Sequence, residues 1–298
     1  MVRQYKIHTN LDGTDDKVWD VTNGKVRFYQ PSNLGLQSTN NIWQSNGIGV
    51  MGTRSITQPQ IEFKLETFGE SLEENYRLMK DFINDILNQK FVTLEYQTEI
   101  FQVYADLALA DVTKTEGYGK NGTFSEKITF DIITKWYTYE NLTFDMVQNG
   151  KVLSGKSKIY GGTAPGYYKY VKGTSYTYYG ETNIERLSRW DIKEEIFSFM
   201  GILYPKLPKT PTGVRFLDDT GNEYTAIVFK TEQVQDYILI NTDVNDETYQ
   251  GWKGTTALNL FPVMDFERYR TRIIEKGQME LINLSKAEFK IKRKADFV

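Results

Sequence analysis

His8 is the only imidazole in the 298-residue chain, and cysteine is absent. A Ser–His–Asp triad would have to be built on that one ring, which lies in the polar stretch "IHTNLDG" and reads as a surface residue. Two- and three-histidine zinc sites are beyond a chain with one histidine. Disulfides, thiolate metal sites and a cysteine nucleophile are excluded by composition. The tightest carboxylate pairs are Glu194-Glu195 and Asp218-Asp219. Neighbours on a strand point to opposite faces, so adjacency does not give two carboxyls that work on one bond. Three acidic loops offer oxygen ligands to a hard cation such as calcium: "NLDGTDD" (10–16), "LDDTGNE" (217–223) and "NTDVNDE" (241–247). None has the twelve-residue EF-hand spacing with its closing Glu, and all are made of ordinary β-turn residues. No Walker A motif occurs, and the glycines of "IYGGTAPGYY" precede no helix. The expectation is no catalytic residue, no metal ligand set and no cofactor.

The bulk numbers narrow the partners. Net charge is −3, from 36 basic and 39 acidic residues. No general basic field exists to hold nucleic acid or an anionic membrane. In the terminal "FKIKRK", Phe289 and Ile291 alternate with Lys290 and Lys292, the pattern of a closing strand with one solvated basic face. The start, "MVRQYKIHTNLDG", has no apolar signal-peptide core. The longest apolar passage, Ile196–Tyr204, is broken by Ser198 and Gly201 and is shorter than the roughly 18 residues of a membrane span. The expectation is a soluble protein made inside a cell.

What remains is aromatic. The chain has 20 Tyr, 17 Phe and 5 Trp, which suits β structure and contact surfaces. The stretch "YYKYVKGTSYTYYG" (167–180) packs in Tyr167, Tyr168, Tyr170, Tyr176, Tyr178 and Tyr179. One reading is a thin hairpin about Gly173 with facing aromatic pairs. The others are a hot-spot surface for a protein and a stacking platform for a sugar. No carboxylate lies within the run, so a protein contact is the favoured reading.

These groups must be held by elements. Ile61, Phe63 and Leu65 in "QIEFKLETF" (60–68) alternate with Glu62, Lys64 and Glu66, the period of a half-buried strand. One helix is predicted over 71–89, with Ser71 and Glu74 as a capping box. Its apolar stripe is Leu72, Tyr76, Met79, Phe82, Ile83 and Ile86. Strands follow at 91–97, 101–112 and 126–137, the last two joined across Asn121-Gly122. The 31–58 stretch, rich in Gly, Asn and Ser, carries Leu34, Leu36, Ile42 and Trp43. It is expected to be a wing for a neighbouring subunit or a hairpin packed on its own sheet. From 140 the texture turns Gly- and Tyr-rich. After the prolines of "PKLPKTP" (205–211) the pattern is an antiparallel sandwich.

The order of these pieces resembles the distal tail (Dit) proteins of siphophages that infect Gram-positive bacteria, and most closely that of a lactococcal siphophage. The matching stretches are "IEFKLETFGESLEENYRLMKDFINDIL" leading into "FVTLEYQTEIFQVYADL", then "GTFSEKITFDIITKWY", "DYILINTDVNDETYQ" and "RYRTRIIEKGQMELIN". The resemblance implies a mainly β fold: an N-terminal, ring-forming β domain with one packed helix (1–140) and a C-terminal galectin-like β-sandwich (141–298). The sandwich would bear an arm-like extension at about 145–182. It implies a homo-hexameric hub, as one ring or stacked rings, at the virion's tail tip and assembled in the host cytoplasm. Its partners would be the tail tube protein, the tail-associated fibre or lysin protein and receptor-binding proteins. DNA would cross the ring without stable binding, and no membrane is engaged. The six tyrosines become candidates for receptor-binding-protein contact. Leu34, Leu36, Ile42, Trp43 and Tyr118 become candidates for ring contacts. Two other classes stay open: a carbohydrate-binding module for cell-wall saccharide, and an enzyme such as a wall hydrolase.

Overall fold

The computed structural model describes residues 3–35, 37–57, 60–114, 123–144, 146–148, 151–152, 158–160, 176–178, 184–186, 189–206, 210–230, 235–244 and 246–295. Two compact units result: Met1–Thr138 with Lys294–Val298, and Tyr139–Arg293.

The first unit holds β1 (Gln4–His8), β2 (Val18–Asp20), β3 (Val26–Ser32), β4 (Gln37–Ser45), β5 (Ile48–Thr57), β6 (Gln60–Thr67), helix α1 (Leu72–Leu87), β7 (Val92–Gln97), β8 (Gln102–Thr113) and β9 (Ser125–Ile132). Seven of these strands pair antiparallel in the order β2-β1-β7-β8-β9-β6-β3. Strand β8 is the hinge of that sheet. Its residues 102–107 pair with β7, and its residues 107–113 pair with β9. Alternation decides the faces: Ile61, Phe63 and Leu65 are fully buried, while Lys64–Glu66 and Lys127–Glu62 pair on the other side.

Helix α1 covers the apolar face. Phe28 stacks on Phe63 with centroids 4.6 Å apart, and Phe82 meets Phe28 edge-on at 5.8 Å and Trp19 at 5.2 Å. The Trp19 indole N–H donates to Asp85 at 2.9 Å, which ties the helix to β2. The predicted stripe is right in its C-terminal half. Phe82 and Ile86 are buried, and Met79 and Ile83 pack against the core. Leu72 and Tyr76 are instead 52% and 62% exposed. The reason is polar. Asn75 is buried at the first turn, where its Oδ1 accepts from the Gly69 N–H at 2.6 Å and its amide donates to the Ser71 carbonyl at 3.0 Å. That anchoring turns Leu72 and Tyr76 outward. The cap also differs from expectation. Ser71 Oγ accepts from the Glu74 N–H, but the Glu74 carboxylate reaches back to the Glu70 N–H and to Lys25 rather than to Ser71.

The second unit begins within β10 (Tyr137–Phe144) and contains β11 (Met146–Gln148), β12 (Lys151–Val152), β13 (Lys158–Tyr160), β14 (Tyr176–Tyr178), β15 (Ile184–Arg186), β16 (Arg189–Ile192), β17 (Ile196–Pro205), β18 (Thr212–Leu217), β19 (Glu223–Phe229), β20 (Tyr237–Asn241), β21 (Thr248–Lys253), β22 (Thr256–Asn259), β23 (Gly277–Ile282) and most of β24 (Leu284–Lys294). Two sheets, β10-β24-β17-β20-β21-β22 and β16-β23-β18-β19, share one core. Phe199 from the first meets Phe216 from the second at 5.9 Å, and Phe289 packs edge-on against Phe199 at 5.6 Å in the same core. This is a β-sandwich built on alternation, as the pattern after the prolines predicts. The turn at Asp218–Asn222 closes the β18–β19 hairpin. Gly213 lies where β18 runs between β19 and β23. A Cβ there would come within 1.9 Å of the Ile227 carbonyl oxygen, so only glycine fits. The stretch 266–276, expected to join the strand that follows it, is irregular, and strand structure starts only at Gly277.

If the aromatic step from α1 to the sheet holds the first unit, Phe82→Ala lowers its unfolding free energy by about 4 kcal/mol. Leu72→Ala on the same helix changes it by less than about 0.5 kcal/mol. Urea unfolding with an unchanged slope reads both.

Candidate functional site

His8, expected at the surface, is 7% exposed. It is the last residue of β1, and the register sets it opposite Thr93 on β7, beside Glu95. Its Nδ1 lies 2.7 Å from Asp16 Oδ2 and its Nε2 lies 2.8 Å from Glu95 Oε2. Lys6 Nζ holds the other Glu95 oxygen at 2.9 Å. Burial pushes the Glu95 carboxyl up, but the hydrogen bonds from Lys6 and His8 outweigh it and hold it below the usual carboxylate range. Among the described residues no serine hydroxyl bonds the ring, whose two nitrogens are held by Asp16 and Glu95.

The acidic loops are turns. Asp218 Oδ1 accepts from the Thr220 N–H, the Thr220 hydroxyl and the Asn222 N–H. Asp243 is paired with Lys292 at 2.9 Å and Glu247 with Arg272 at 2.8 Å. Among the described residues no group of three or more His, Asp or Glu side chains is placed to hold a metal ion. Lys292 also corrects the reading of the basic tail: it is 6% exposed, not on a solvated face.

The most distinctive surface is β4–β5. The stretch expected to be a wing for a neighbouring subunit or a hairpin packed on its own sheet is a ten-residue strand paired with one of nine, forming a two-stranded sheet of its own. Asn46 and Gly47 have φ of 50° and 80°, the two positive values that a tight hairpin turn of matching twist needs. Trp43 faces Val50 across the pair, Ile42 faces Met51, and Ser45 faces Ile48. Trp43 and Ile48 are each 70% exposed. The Trp43 indole lies over Gly52, where an added Cβ would sit 3.3 Å from its Nε1. A lone hairpin is marginal in water, and clustered exposed apolar side chains mark an interaction surface.

The ring-contact candidates therefore divide. Ile42 and Trp43 are exposed on the hairpin. Leu34 packs against the core of its own unit. Leu36 and Tyr118 lie outside the described residues. Sequence reasoning missed Ile48, Val50 and Met51 on the returning strand. The Asn46-Gly47 pair in "QSNGIG" was the signal for them. A second exposed cluster sits at the start of α1, where Tyr76 lies 6.4 Å from Phe124 and Phe68 carries the Arg27 guanidinium at 4.6 Å.

Of the tyrosine candidates, Tyr167, Tyr168, Tyr170 and Tyr179 lie outside the described residues. Tyr176 and Tyr178 are on β14, which pairs in parallel with β13, Tyr176 against Lys158 and Tyr178 against Tyr160. The hairpin about Gly173 gives no account of this pairing, because two strands joined by a tight turn run antiparallel.

Comparison with known proteins gives the family. The N-terminal domain of distal tail proteins matches residues 4–133, and the Dit C-terminal domain matches residues 135–298. The chain belongs to the distal tail protein family. The distal tail proteins of Lactococcus phages p2 and SK1 are 95% and 91% identical to it over 298 residues, the whole of each chain. A chain from the solved phage P2 baseplate, in its activated conformation with Ca, matches with a TM-score of 0.80 at 95% identity, covering 100% of both chains. The Dit protein of phage SPP1 has a TM-score of 0.54 at 12% identity over 98% of this chain and 99% of its own, a likeness of fold. A distal tail protein is a structural virion component and not an enzyme. In this one His8 and Asp218, which sequence inspection would nominate for catalysis, are hydrogen-bonded within the fold.

The Glu95 network has a pH signature. Its carboxyl releases its proton more readily folded than unfolded, so its stabilisation is present above the unfolded value of about 4.5 and is lost as pH falls below it. Thermal unfolding from pH 7 to pH 3 reads this as a falling midpoint. Glu95→Ala lowers the unfolding free energy at pH 7 by about 3 kcal/mol and flattens the decline.

Proposed function

We propose that this distal tail protein is the hub of a phage baseplate, a homo-hexameric ring joining the tail tube protein to the tail-associated fibre or lysin protein and anchoring receptor-binding proteins. The 95% identity to a chain of the phage P2 baseplate supports a place in such an assembly. In this reading residues 1–140 form the ring and residues 141–298 form a galectin-like sandwich. The stretch at about 145–182 is an arm whose tyrosines Tyr167, Tyr168, Tyr170, Tyr176, Tyr178 and Tyr179 contact receptor-binding protein. The small sheets β12-β11-β15 and β13-β14, separate from both sandwich sheets, suit such an extension.

The observation that carries the ring is the uncovered hairpin. Closed cyclic symmetry needs two unlike patches on each subunit. Ile42, Trp43, Ile48, Val50 and Met51 supply one. The Phe68–Leu72–Tyr76 surface supplies a candidate for the other. The mild net charge of −3 suits a channel that DNA crosses without sticking.

Light scattering on the purified chain, alone and with its tail partners, tests this reading. A mass near six copies is expected. Trp43→Ser shifts that mass toward the single chain while leaving the circular dichroism unchanged. Joint replacement of Tyr176 and Tyr178 by Ala keeps the ring and weakens capture of the receptor-binding protein. A chain that stays monomeric with every tail partner would overturn the hub.

A further inference from the structure

A concavity in the second unit has chemistry that the hub does not use. It lies where β21 and β22 meet, has a volume of about 330 Å³, and is lined by Glu247, Thr248, Tyr249, Gln250, Asn259 and Phe261. That volume is at the lower end of small-molecule sites. Phe261 presents a ring that is 44% exposed and backed by Tyr249, centroids 6.0 Å apart and planes 29° apart. Gln250 and Asn259 are register partners. Asn259 Oδ1 accepts from the Phe261 N–H at 3.0 Å, and its amide hydrogens have no partner among the described residues. The Gln250 amide has no partner among the described residues, so both its donor and its acceptor are available.

The carboxylate beside them is fixed in place. Glu247 Oε1 accepts from the Tyr249 hydroxyl at 2.8 Å, with the Tyr269 hydroxyl at 3.4 Å, and Oε2 is paired with Arg272. Burial, with the Tyr269 and Glu247 hydrogen bonds, pushes the Tyr249 hydroxyl well up, so it remains a proton donor to Glu247.

These groups select among ligand classes. An anion finds no cationic side chain among the lining residues. A cation finds that carboxylate already neutralised by Arg272, with no second one among the lining residues. A wholly apolar ligand would strip water from two amides and a carboxylate without replacing it. A neutral pyranose meets all the groups. Its C–H face lies on the electron-rich face of Phe261, and its vicinal hydroxyls exchange hydrogen bonds with an amide and a fixed carboxylate. A neighbouring groove of about 530 Å³ also borders Thr248, with Asn141, Thr143, Glu288 and Lys290 among its lining residues, so a second sugar unit has polar partners to continue onto.

We infer that the Phe261 concavity is a saccharide subsite that holds one pyranose of a neutral glycan between the Phe261 ring and the Gln250, Asn259 and Glu247 side chains. The inference is independent of the ring, since every residue in it lies in the second unit.

Saturation-transfer NMR on the full chain tests it with four probes: methyl α-D-glucopyranoside, methyl β-D-galactopyranoside, methyl α-L-rhamnopyranoside and N-acetyl-D-glucosamine. Transfer to the ring C–H protons of at least one probe is expected. Phe261→Ala weakens that binding roughly tenfold. Gln250→Ala, which removes an amide with no internal role, also weakens it, and Ile100→Ala at an exposed turn of the other unit does not. The Gln250→Ala comparison stands even where Phe261→Ala disturbs folding. No transfer to any of the four, or transfer unchanged in folded Gln250→Ala protein, overturns the subsite.

Discussion

Phe82 of the helix stands edge-on to Phe28, and Phe28 lies flat on Phe63. Through that contact the first unit meets the constraint on every sheet in water: one apolar face must be covered. The chain has no cysteine and cannot staple its strands covalently, so covering has to come from packing. The first unit covers its sheet with α1. The second covers one sheet with another, through Phe199, Phe289 and Phe216. The strands β4 and β5 have no cover among the described residues. In the proposed ring, their exposed apolar side chains are the part of the fold that another subunit completes. An assembly protein differs in this way from an enzyme, whose unusual groups converge inside a cleft.

The buried charges follow the same economy. His8, Glu95, Asp16 and Lys6 form a closed set, and Lys292 is matched to Asp243. Buried Glu95 touches Lys6 and buried Lys292 touches Asp243, and an opposite charge in contact is the condition under which burying such an ion is tolerable. Such pairs contribute little net stability. Removing one partner is what costs. They act as locks on register, since a one-residue slip of β1 against β7 would part His8 from Glu95.

Much of the fold was legible in particular residues. Ile61, Phe63 and Leu65 declared their strand face, and all three are buried. Ser71 announced the helix start, and its hydroxyl does cap it. The hairpin at 218–222 was readable from its turn residues. The errors also have identifiable causes. Leu72 and Tyr76 continue the helical period, but period cannot foresee that buried Asn75 anchors the first turn and rotates them outward. His8 sits in a polar stretch, and nothing local shows that β7 brings Glu95 to it from 87 positions away. Lys292 alternates like a surface lysine, yet Asp243 waits for it across the sheet. The Phe261 concavity was invisible for the same reason: Asn259 comes beside Gln250 only through the pairing of β21 with β22.

By itself the sequence determined the local terms: which segments extend, which one coils, which faces are apolar, and that no thiol and only one imidazole are on hand. These depend on residue type and spacing within a few positions, where sterics and periodicity act. The tertiary structure alone decided which charges are buried together, which end of the helix stripe is covered, and that the β4–β5 hairpin stands uncovered among the described residues. Those outcomes depend on contacts between residues far apart in the chain, whose energies exist only once the sheets have closed.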